Sequence, residues 1–557
     1  MLSSSKISVD DDLFWHLASG RYIVTNLSIP STNVFGHAYP EIKWIPFEWG
    51  WEVLMYITYN FTGYNGISIF RTFLVLCIYS LLFSMIIKLK LNFNLSILLL
   101  FFSSFSLLPR FTARPHLITY VFLLAVISII IHVRYLKKDR KYLYILPLIF
   151  LVWGNMHVNG VIGLIVFGIY IFSETAERKW QKKEPSKPRL KDNEFAFCVM
   201  IFILSAASLL INPYNIGTYI FEYKLMGLKL LENINEWRSP LDTSAMSVYL
   251  IIYFFFVALG MVSIIYGYRK KDLFVISMFC FSVIYSLKAV RFTFDFFILS
   301  LIIIIISLSY LISLFKSQQI KELFDKNKAV SLALSVFLLI ISYFLFNNSV
   351  YKSILNTPFR ETGFGINEKY YPSDLIRFIK ENKVDPTGSN VFNSLNCGGF
   401  LIWNCDGMKN FIDTRNLNDD LYNEYKLIDS KAAGFENKLN EHSIDLIIYS
   451  LPYCTQNARV IDRSLISFLI KNNNEWKLIY WDDRSFMFVK KEEKFKDLIS
   501  KYEFKYLNPY NLIFNFTNIS NAAKTDRTRL TMELDRKIKE EPDGVFINDL
   551  VRRIKFL

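Results

Sequence analysis

Residues 66–87 read GISIFRTFLVLCIYSLLFSMII, 22 residues carrying one charge, Arg71, and closed by Lys88 and Lys90. A helix needs about 20 predominantly apolar residues to cross the hydrocarbon core of a bilayer, so this run is read as a membrane span. Outward from it, apolar runs recur at 93–108, 117–133, 195–211, 248–266, 273–287, 292–315 and 330–346, which predicts eight spans within 66–347. The whole 557-residue chain is 52% hydrophobic with 51 Phe and a mean hydropathy of +0.27, as expected of a polytopic α-helical membrane domain with an appendage. Two further runs, 143–154 and 160–172, are short and flank Asn155-Met156-His157-Val158-Asn159. They predict a hairpin of shortened helices over 143–172, its polar break lodged in protein or against a water-filled cavity.

A net charge of +14 could indicate nucleic acid, but its distribution argues against that partner. Five short loops hold 21 Lys and Arg: Lys88 and Lys90; Arg134, Lys137, Lys138, Arg140 and Lys141; Arg178, Lys179, Lys182, Lys183, Lys187, Arg189 and Lys191; Arg269, Lys270 and Lys271; Lys316, Lys321, Lys326 and Lys328. The intervening loops hold seven. Basic loops stay on the cytoplasmic side of a membrane. The first span then runs inward, residues 1–65 and 348–557 lie outside, and Asp10, Arg114, His157 and Arg291 all reach the external face. An external N-terminus without a signal peptide ordinarily follows a helix that carries it across, so either an upstream helix is expected or the segment crosses as a tail.

Residues 1–65 are read as an external first loop, with a short helix at 12–22 and an aromatic interfacial stretch from Glu48-Trp49-Gly50-Trp51-Glu52 to Tyr59. After 347, strand-like runs at 390–392, 400–403, 410–412, 446–449, 476–481 and 485–489 alternate with helical patterns at 372–382, 420–428 and 464–471. That predicts an external α/β soluble domain over 348–490, then a charged helical tail over 491–557 ending in Arg552, Arg553 and Lys555. Of the six cysteines, Cys397, Cys405 and Cys454 fall in this domain, where one disulfide is possible. No P-loop, paired CxxC or GxSxG elbow is present.

Three adjacent carboxylates, Asp10-Asp11-Asp12, run into Leu13-Phe14-Trp15-His16. Holding them together calls for a divalent metal, a phosphate-bound metal or a proton-transfer task; the bland alternative is a solvated acidic end. The outer loops also supply Glu48, Glu52 and Glu236, the guanidinium groups Arg110, Arg114 and Arg291, and the imidazoles His16, His116 and His157. Each alone is an ordinary span-end anchor, and Asp413 with Arg415 reads as a structural pair. Together the set suits a phosphorylated ligand at headgroup depth, where Arg binds phosphate bidentately and keeps its charge.

The stretch Asp10-Asp11-Asp12-Leu13-Phe14-Trp15-His16-Leu17, with Gly20-Arg21-Tyr22, Arg114-Pro115, Trp153-Gly154-Asn155-Met156-His157, Asn212-Pro213-Tyr214, Glu236-Trp237 and Arg291-Phe292, resembles the bacterial GT-C glycosyltransferase superfamily, whose first outer loop carries an Asp-x-Asp-x-x-Trp-His-Leu motif. The resemblance covers roughly residues 10–490 and is similar in plan to oligosaccharyltransferases and protein O-mannosyltransferases. It implies hexosyl or pentosyl transfer from a polyprenyl-phosphate-linked donor to a lipid, glycan or protein acceptor at the outer face of the cytoplasmic membrane. By the same resemblance Asp10 and Asp12 are expected to be catalytic, acting as base or positioning a divalent metal such as Mg or Mn. Arg114, Arg291 and His157 hold the donor phosphate, while His16 and Glu48 shape the acceptor side. The tryptophan-aspartate acceptor motif of oligosaccharyltransferases is missing; Asn396-Cys397-Gly398-Gly399-Phe400 stands in a comparable place. A glycolipid flippase or a noncatalytic assembly protein are the other readings of the same pattern.

Overall fold

The computed structural model describes residues 5–136, 139–242, 244, 246–315, 327–348, 359–451 and 458–548, apart from 181–191. Lys137, Lys138, Lys182, Lys183, Lys187, Arg189, Lys191, Lys316, Lys321, Lys326, Cys454, Arg552, Arg553 and Lys555 lie outside the described residues, as do the side chains of Arg178 and Lys179. The chain divides into a helical unit, residues 1–7 with 45–366, and a second unit, residues 8–44 with 367–557.

In the helical unit six helices are long and apolar enough to cross a membrane: Trp49–Lys88, His116–Arg134, Gly160–Glu177, Val248–Lys270, Val290–Ser313 and Lys328–Phe346. The protein is a multi-pass membrane protein. Three expected spans, 93–108, 195–211 and 273–287, appear as shorter apolar helices, Phe93–Ser106, Asn193–Leu209 and Leu273–Ser286. The first long helix leaves helical geometry at Gly63 (φ 63°, ψ −159°), a left-handed φ that glycine adopts without a Cβ clash. This break divides the aromatic stretch from the run at 66–87.

The expected hairpin of two short helices is corrected on one side. Leu146–Met156 has 11 residues, but its partner extends past Phe172 to Trp180, 21 residues in all. Glu174 and Glu177 lie in the extension beyond 172. Both are neutralised within the bundle: Arg134 pairs with Glu174, with Glu177 at 2.7 Å and with Asp272 at 2.8 Å. A paired carboxylate does not stop a helix.

Val290–Ser313 is the hub of the unit. Every residue from Thr293 to Leu308 is buried, the mark of a helix enclosed on all faces. It packs against Phe93–Ser106, His116–Arg134, Val248–Gly260, Val262–Lys270 and Leu273–Ser286. Lys328–Phe346 is its opposite: Leu332 and Leu339 are 66% and 70% exposed, an apolar surface suited to lipid. Residues 359–366 belong here rather than to the soluble domain expected from 348. Arg360 donates to the Leu108 carbonyl at 2.8 Å, and the Gly365 amide donates to the Ser68 hydroxyl at 3.1 Å.

The second unit is built on one sheet of order β1-β2-β4-β3, with β1 Val391–Asn393, β2 Leu446–Ser450, β3 Trp476–Trp481 and β4 Ser485–Lys490. β1 pairs parallel with β2; β4 is antiparallel to both of its neighbours. The β3–β4 turn is closed by the Asp482 carboxylate, which accepts from the Arg484 and Ser485 amides at 2.7 Å each. Helices Ser373–Glu381, Asp419–Asp429 and Leu465–Lys471 fall where expected. The strand expected at 400–403 is instead the helix Gly398–Asn404, and 410–412 contributes only an isolated bridge from Asn410 to Gly36.

Two boundaries move as well. The expected first loop splits, since residues 8–44 join this unit: Arg415 donates to Asn33 Oδ1 at 2.8 Å and lies 4.5 Å over the Trp44 ring. The tail is not a separate solvated helix either. Glu533, on the helix Arg527–Glu540, accepts from the amides of Lys505, Tyr506 and Leu507 at 2.8, 3.1 and 2.8 Å, and buried Lys537 donates to the Trp481 carbonyl. Cys397 and Cys405 are free, buried thiols, which burial pushes up to about 12 and about 11.

Candidate active site

The expected site residues fall into one cluster in the second unit and two in the helical unit. In the second unit, Val9 adopts φ 54°, a strained conformation for a β-branched residue, and turns the chain into the helix Asp12–Asn26. Asp10, just before that helix, is 1% exposed; Asp11 and Asp12 are half-buried. The Asp10 amide donates to the Tyr371 hydroxyl at 3.2 Å. Tyr371 stacks on Phe400 with centroids 5.3 Å apart, and Phe14 stands edge-on to both rings. Burial, then the carboxylates of Asp11 and Asp10, push the Tyr371 phenol well above its ordinary range, so it stays protonated beside them. His16 is 2% exposed, its ring 3.6 Å from that of Trp15, so the acceptor-side role expected of it has no exposed ring to serve it.

A close approach of backbone holds the acidic turn. A Cβ on Gly399 would stand 3.1 Å from the Asp11 carbonyl oxygen and 3.3 Å from the Trp15 nitrogen. The helix Gly398–Asn404 lies this close to the start of Asp12–Asn26 without displacing it because residue 399 has no side chain.

In the helical unit, His157 ends Leu146–Met156 in an extended conformation. Its Nε2 lies 3.3 Å from Glu48 Oε1, and its Nδ1 lies 2.7 Å from the Thr119 hydroxyl, which accepts from Trp153 Nε1 at 2.9 Å. Trp49 Nε1 donates to Asn155 Oδ1 at 3.2 Å across the same break. His157 and Glu48, expected on donor and acceptor sides, thus stand together.

A second group gathers at the starts of His116–Arg134 and Val290–Ser313. Arg110 and Arg291 each stand 3.8 Å from one oxygen of Glu236, at ion-pair range and beyond hydrogen-bond length. Burial alone would push the Glu236 carboxyl up, but Arg291, Arg110 and Arg114 outweigh it and hold the group below the usual carboxylate range. Arg291 lies 4.4 Å over the Trp237 ring. Behind them Tyr120 donates to Asp295 at 2.7 Å. Three guanidinium groups thus surround Glu236, and two of them, Arg110 and Arg291, also face Asp295, a constellation with capacity for an anion.

Sequence reasoning named Arg114, Arg291 and His157 but missed Glu222. This half-buried residue of Gly217–Met226 has its carboxyl pushed up to about 7 by burial and then by Glu48, against the pull of Arg291. Its only local signal is a lone acid among Tyr219, Ile220, Phe221 and Tyr223. The metal expectation fares differently: among the described residues no group of three or more His, Cys, Asp or Glu side chains is placed to hold an ion. Asp10 and Asp12 supply two carboxylates, the number that commonly holds Mg when waters and substrate phosphates complete its shell.

The fold matches that of the Archaeoglobus fulgidus oligosaccharyltransferase in the apo form, with a TM-score of 0.51 and 9% identity over 94% of this chain and 80% of that one. The same organism's oligosaccharyltransferase AglB in complex with an inhibitory peptide and a dolichol-phosphate aligns at TM-score 0.49, with 10% identity over 97% and 83%. Its complex with Zn and sulfate aligns at TM-score 0.45, with 11% identity over 87% and 70%. No protein-family model and no curated protein matches the chain. The chain has a GT-C fold, a helical membrane domain with a soluble α/β unit.

Proposed function

We propose that a chain with this fold and this arginine cluster is a membrane glycosyltransferase. It moves a sugar from a polyprenyl-phosphate-type donor to a lipid, glycan or protein acceptor at the outer face of the cytoplasmic membrane. The observation that carries the reading is the convergence of Arg110, Arg114 and Arg291 on Glu236. A bilayer-facing bundle has little other use for three guanidinium groups at helix starts, because buried cations need anions to balance them.

In this reading Arg114 and Arg291 hold the donor phosphate, with Arg110 behind them, and neutralise the charge that develops as the sugar departs. Asp10 or Asp12 accepts the proton of the acceptor hydroxyl or amide. The acceptor atom bonds to the anomeric carbon, the bond from that carbon to the phosphate oxygen breaks, and its electron pair leaves on the phosphate. One displacement inverts the anomeric centre. His157 and Glu48 act as one pair at ion-pair distance rather than on opposite sides. No step is routed through a metal.

The test compares glycan and glycolipid profiles of a deletion strain complemented with the natural chain or with the double variant Asp10→Asn, Asp12→Asn. Loss of one glycoform with unchanged membrane insertion is expected. A wild-type profile from the double variant sinks the assignment.

A further inference from the structure

A cleft of about 310 Å³, open to solvent, lies on the second unit where β3 and β4 meet the helix Leu465–Lys471 and residues 503–508. It shares no residue with the acidic turn or the arginine cluster and stands independently of the transferase reading. Leu478 and Phe488 are cross-strand partners, and with Leu469 and Phe504, all buried, they form an apolar floor. The polar lining is less complete. Trp476 is 3% exposed and Asn508 is 2% exposed. Asn508 Oδ1 accepts from the Asn511 amide at 2.9 Å, but its Nδ2 has no hydrogen-bond partner among the described residues, and neither has Trp476 Nε1. Glu503 gives one carboxylate oxygen to Lys477 at 2.9 Å and leaves the other unbonded among the described residues, while the exposed Asn473 stands at the rim.

A buried donor without an acceptor costs free energy, so these two call for acceptors from outside the chain. Water supplies acceptors but leaves the apolar floor wet. A ligand that answers both has an apolar face and hydroxyl groups around its edge. Charge narrows the choice: the two charged side chains of the lining each stand against the opposite sign, Glu503 against Lys477 at 2.9 Å and Lys505 against Asp526 at 3.9 Å, so the lining suits a neutral ligand. Size narrows it again, because small-molecule sites run from roughly 300 to 1,000 Å³ and this cleft falls at the lower end, with room for about one ring. We propose that the cleft binds a single neutral pyranose residue of a glycan. Its C–H face lies on Leu478 and Phe504, its hydroxyl oxygens accept from Trp476 Nε1 and Asn508 Nδ2, and one hydroxyl donates to Glu503. The second unit then carries a sugar-holding site apart from every residue assigned to group transfer.

Saturation-transfer NMR on the full chain in nanodiscs tests this with the methyl β-glycosides of glucose, galactose, mannose and N-acetylglucosamine as probes, beside cyclohexanol and inorganic phosphate. At least one glycoside should bind saturably and at least fivefold more tightly than cyclohexanol, which has a ring and only one hydroxyl, and phosphate should not compete with it. Trp476→Phe keeps an aromatic ring and deletes the Nε1 donor, so it should weaken that glycoside about fivefold, the size of one neutral hydrogen bond. Asn473→Ala, at an exposed position outside the sheet, should weaken it in the same direction with circular dichroism unchanged, and it keeps the test open if Trp476→Phe does not fold. Absence of saturable glycoside binding, tighter binding of cyclohexanol, competition by phosphate, or an affinity that neither variant moves overturns the proposal and leaves the transferase reading standing.

Discussion

The Nε2 of His157 faces Glu48 Oε1 at 3.3 Å, both side chains little exposed, at the one polar break between the helices Leu146–Met156 and Gly160–Trp180. The Thr119 hydroxyl accepts from Trp153 and lies 2.7 Å from Nδ1. In the tautomer whose Nδ1 accepts from Thr119, Nε2 carries the proton on the side of the carboxylate. Thr119→Val keeps the shape and removes that relay. It also strands the buried Trp153 N–H, costing about 1–3 kcal/mol. The variant should insert normally, melt at a lower temperature in detergent and lose sugar transfer at least tenfold. Unchanged transfer would show that the His157 tautomer is immaterial.

Glu222 gives stability a pH dependence of definite sign. Its carboxyl titrates near 4.5 when unfolded and at about 7 in the folded chain. Between those values the folded state holds a proton that the unfolded state has lost, so stability is fully present below about 4.5 and falls as pH rises through about 7. Glu222→Gln removes this contribution. Thermal unfolding in detergent should show the variant more stable than the natural chain at pH 8 and level with it at pH 4.5; a gap that widens toward acid would contradict the assignment.

Arg415 holds residues 8–44 to the sheet of the second unit. Its guanidinium pairs with both oxygens of Asp413, donates to Asn33 and lies over Phe35 and Trp44. Arg415→Ala leaves the Asp413 carboxylate buried without its counterion, a loss of about 3–5 kcal/mol. Limited proteolysis should then cut within residues 8–44 before anywhere else in that unit. An unchanged cleavage order would place the fastening elsewhere.

The two adjacent glycines should separate in effect. A Cβ on Gly398 would stand 2.1 Å from the Ile412 carbonyl oxygen, which no rotamer change relieves, whereas one on Gly399 needs a shift of only a few tenths of an ångström at Asp11. Gly398→Ala should cost at least about 3 kcal/mol, the upper end of ordinary overpacking, and unfold the second unit. Gly399→Ala should fold, move the acidic turn and reduce transfer. Circular dichroism with a transfer assay distinguishes the two, and equal folding with equal activity would refute both expectations.

How much of this was legible in the sequence depended on the range of the interaction. Long apolar runs, the basic loops and the Asp482-Asp483-Arg484 turn are local signals, and the helices and the β3–β4 hairpin follow from them. Residues 400–403 were misread because four buried apolar residues look alike in a strand and in a short helix. The extent of Gly160–Trp180 depended on Arg134, some 40 residues earlier, neutralising Glu174. Arg114, Arg291 and Glu236 could be named as candidates from residue type. That they meet, and that Glu222 stands near Glu48 and Arg291, required the folded arrangement of distant loops.

The bond from Arg415 to Asn33 spans 382 residues. Ribosomes add about 5–20 residues per second, so roughly 20 to 80 s separate the synthesis of the acidic turn from that of the guanidinium that secures its segment. Throughout that interval the segment holding Asp10, Asp11 and Asp12 has emerged while its scaffold has not been made. The nascent chain must carry an unsupported carboxylate segment through the whole of membrane insertion, which makes this segment a place for chaperone protection or early cleavage during biogenesis.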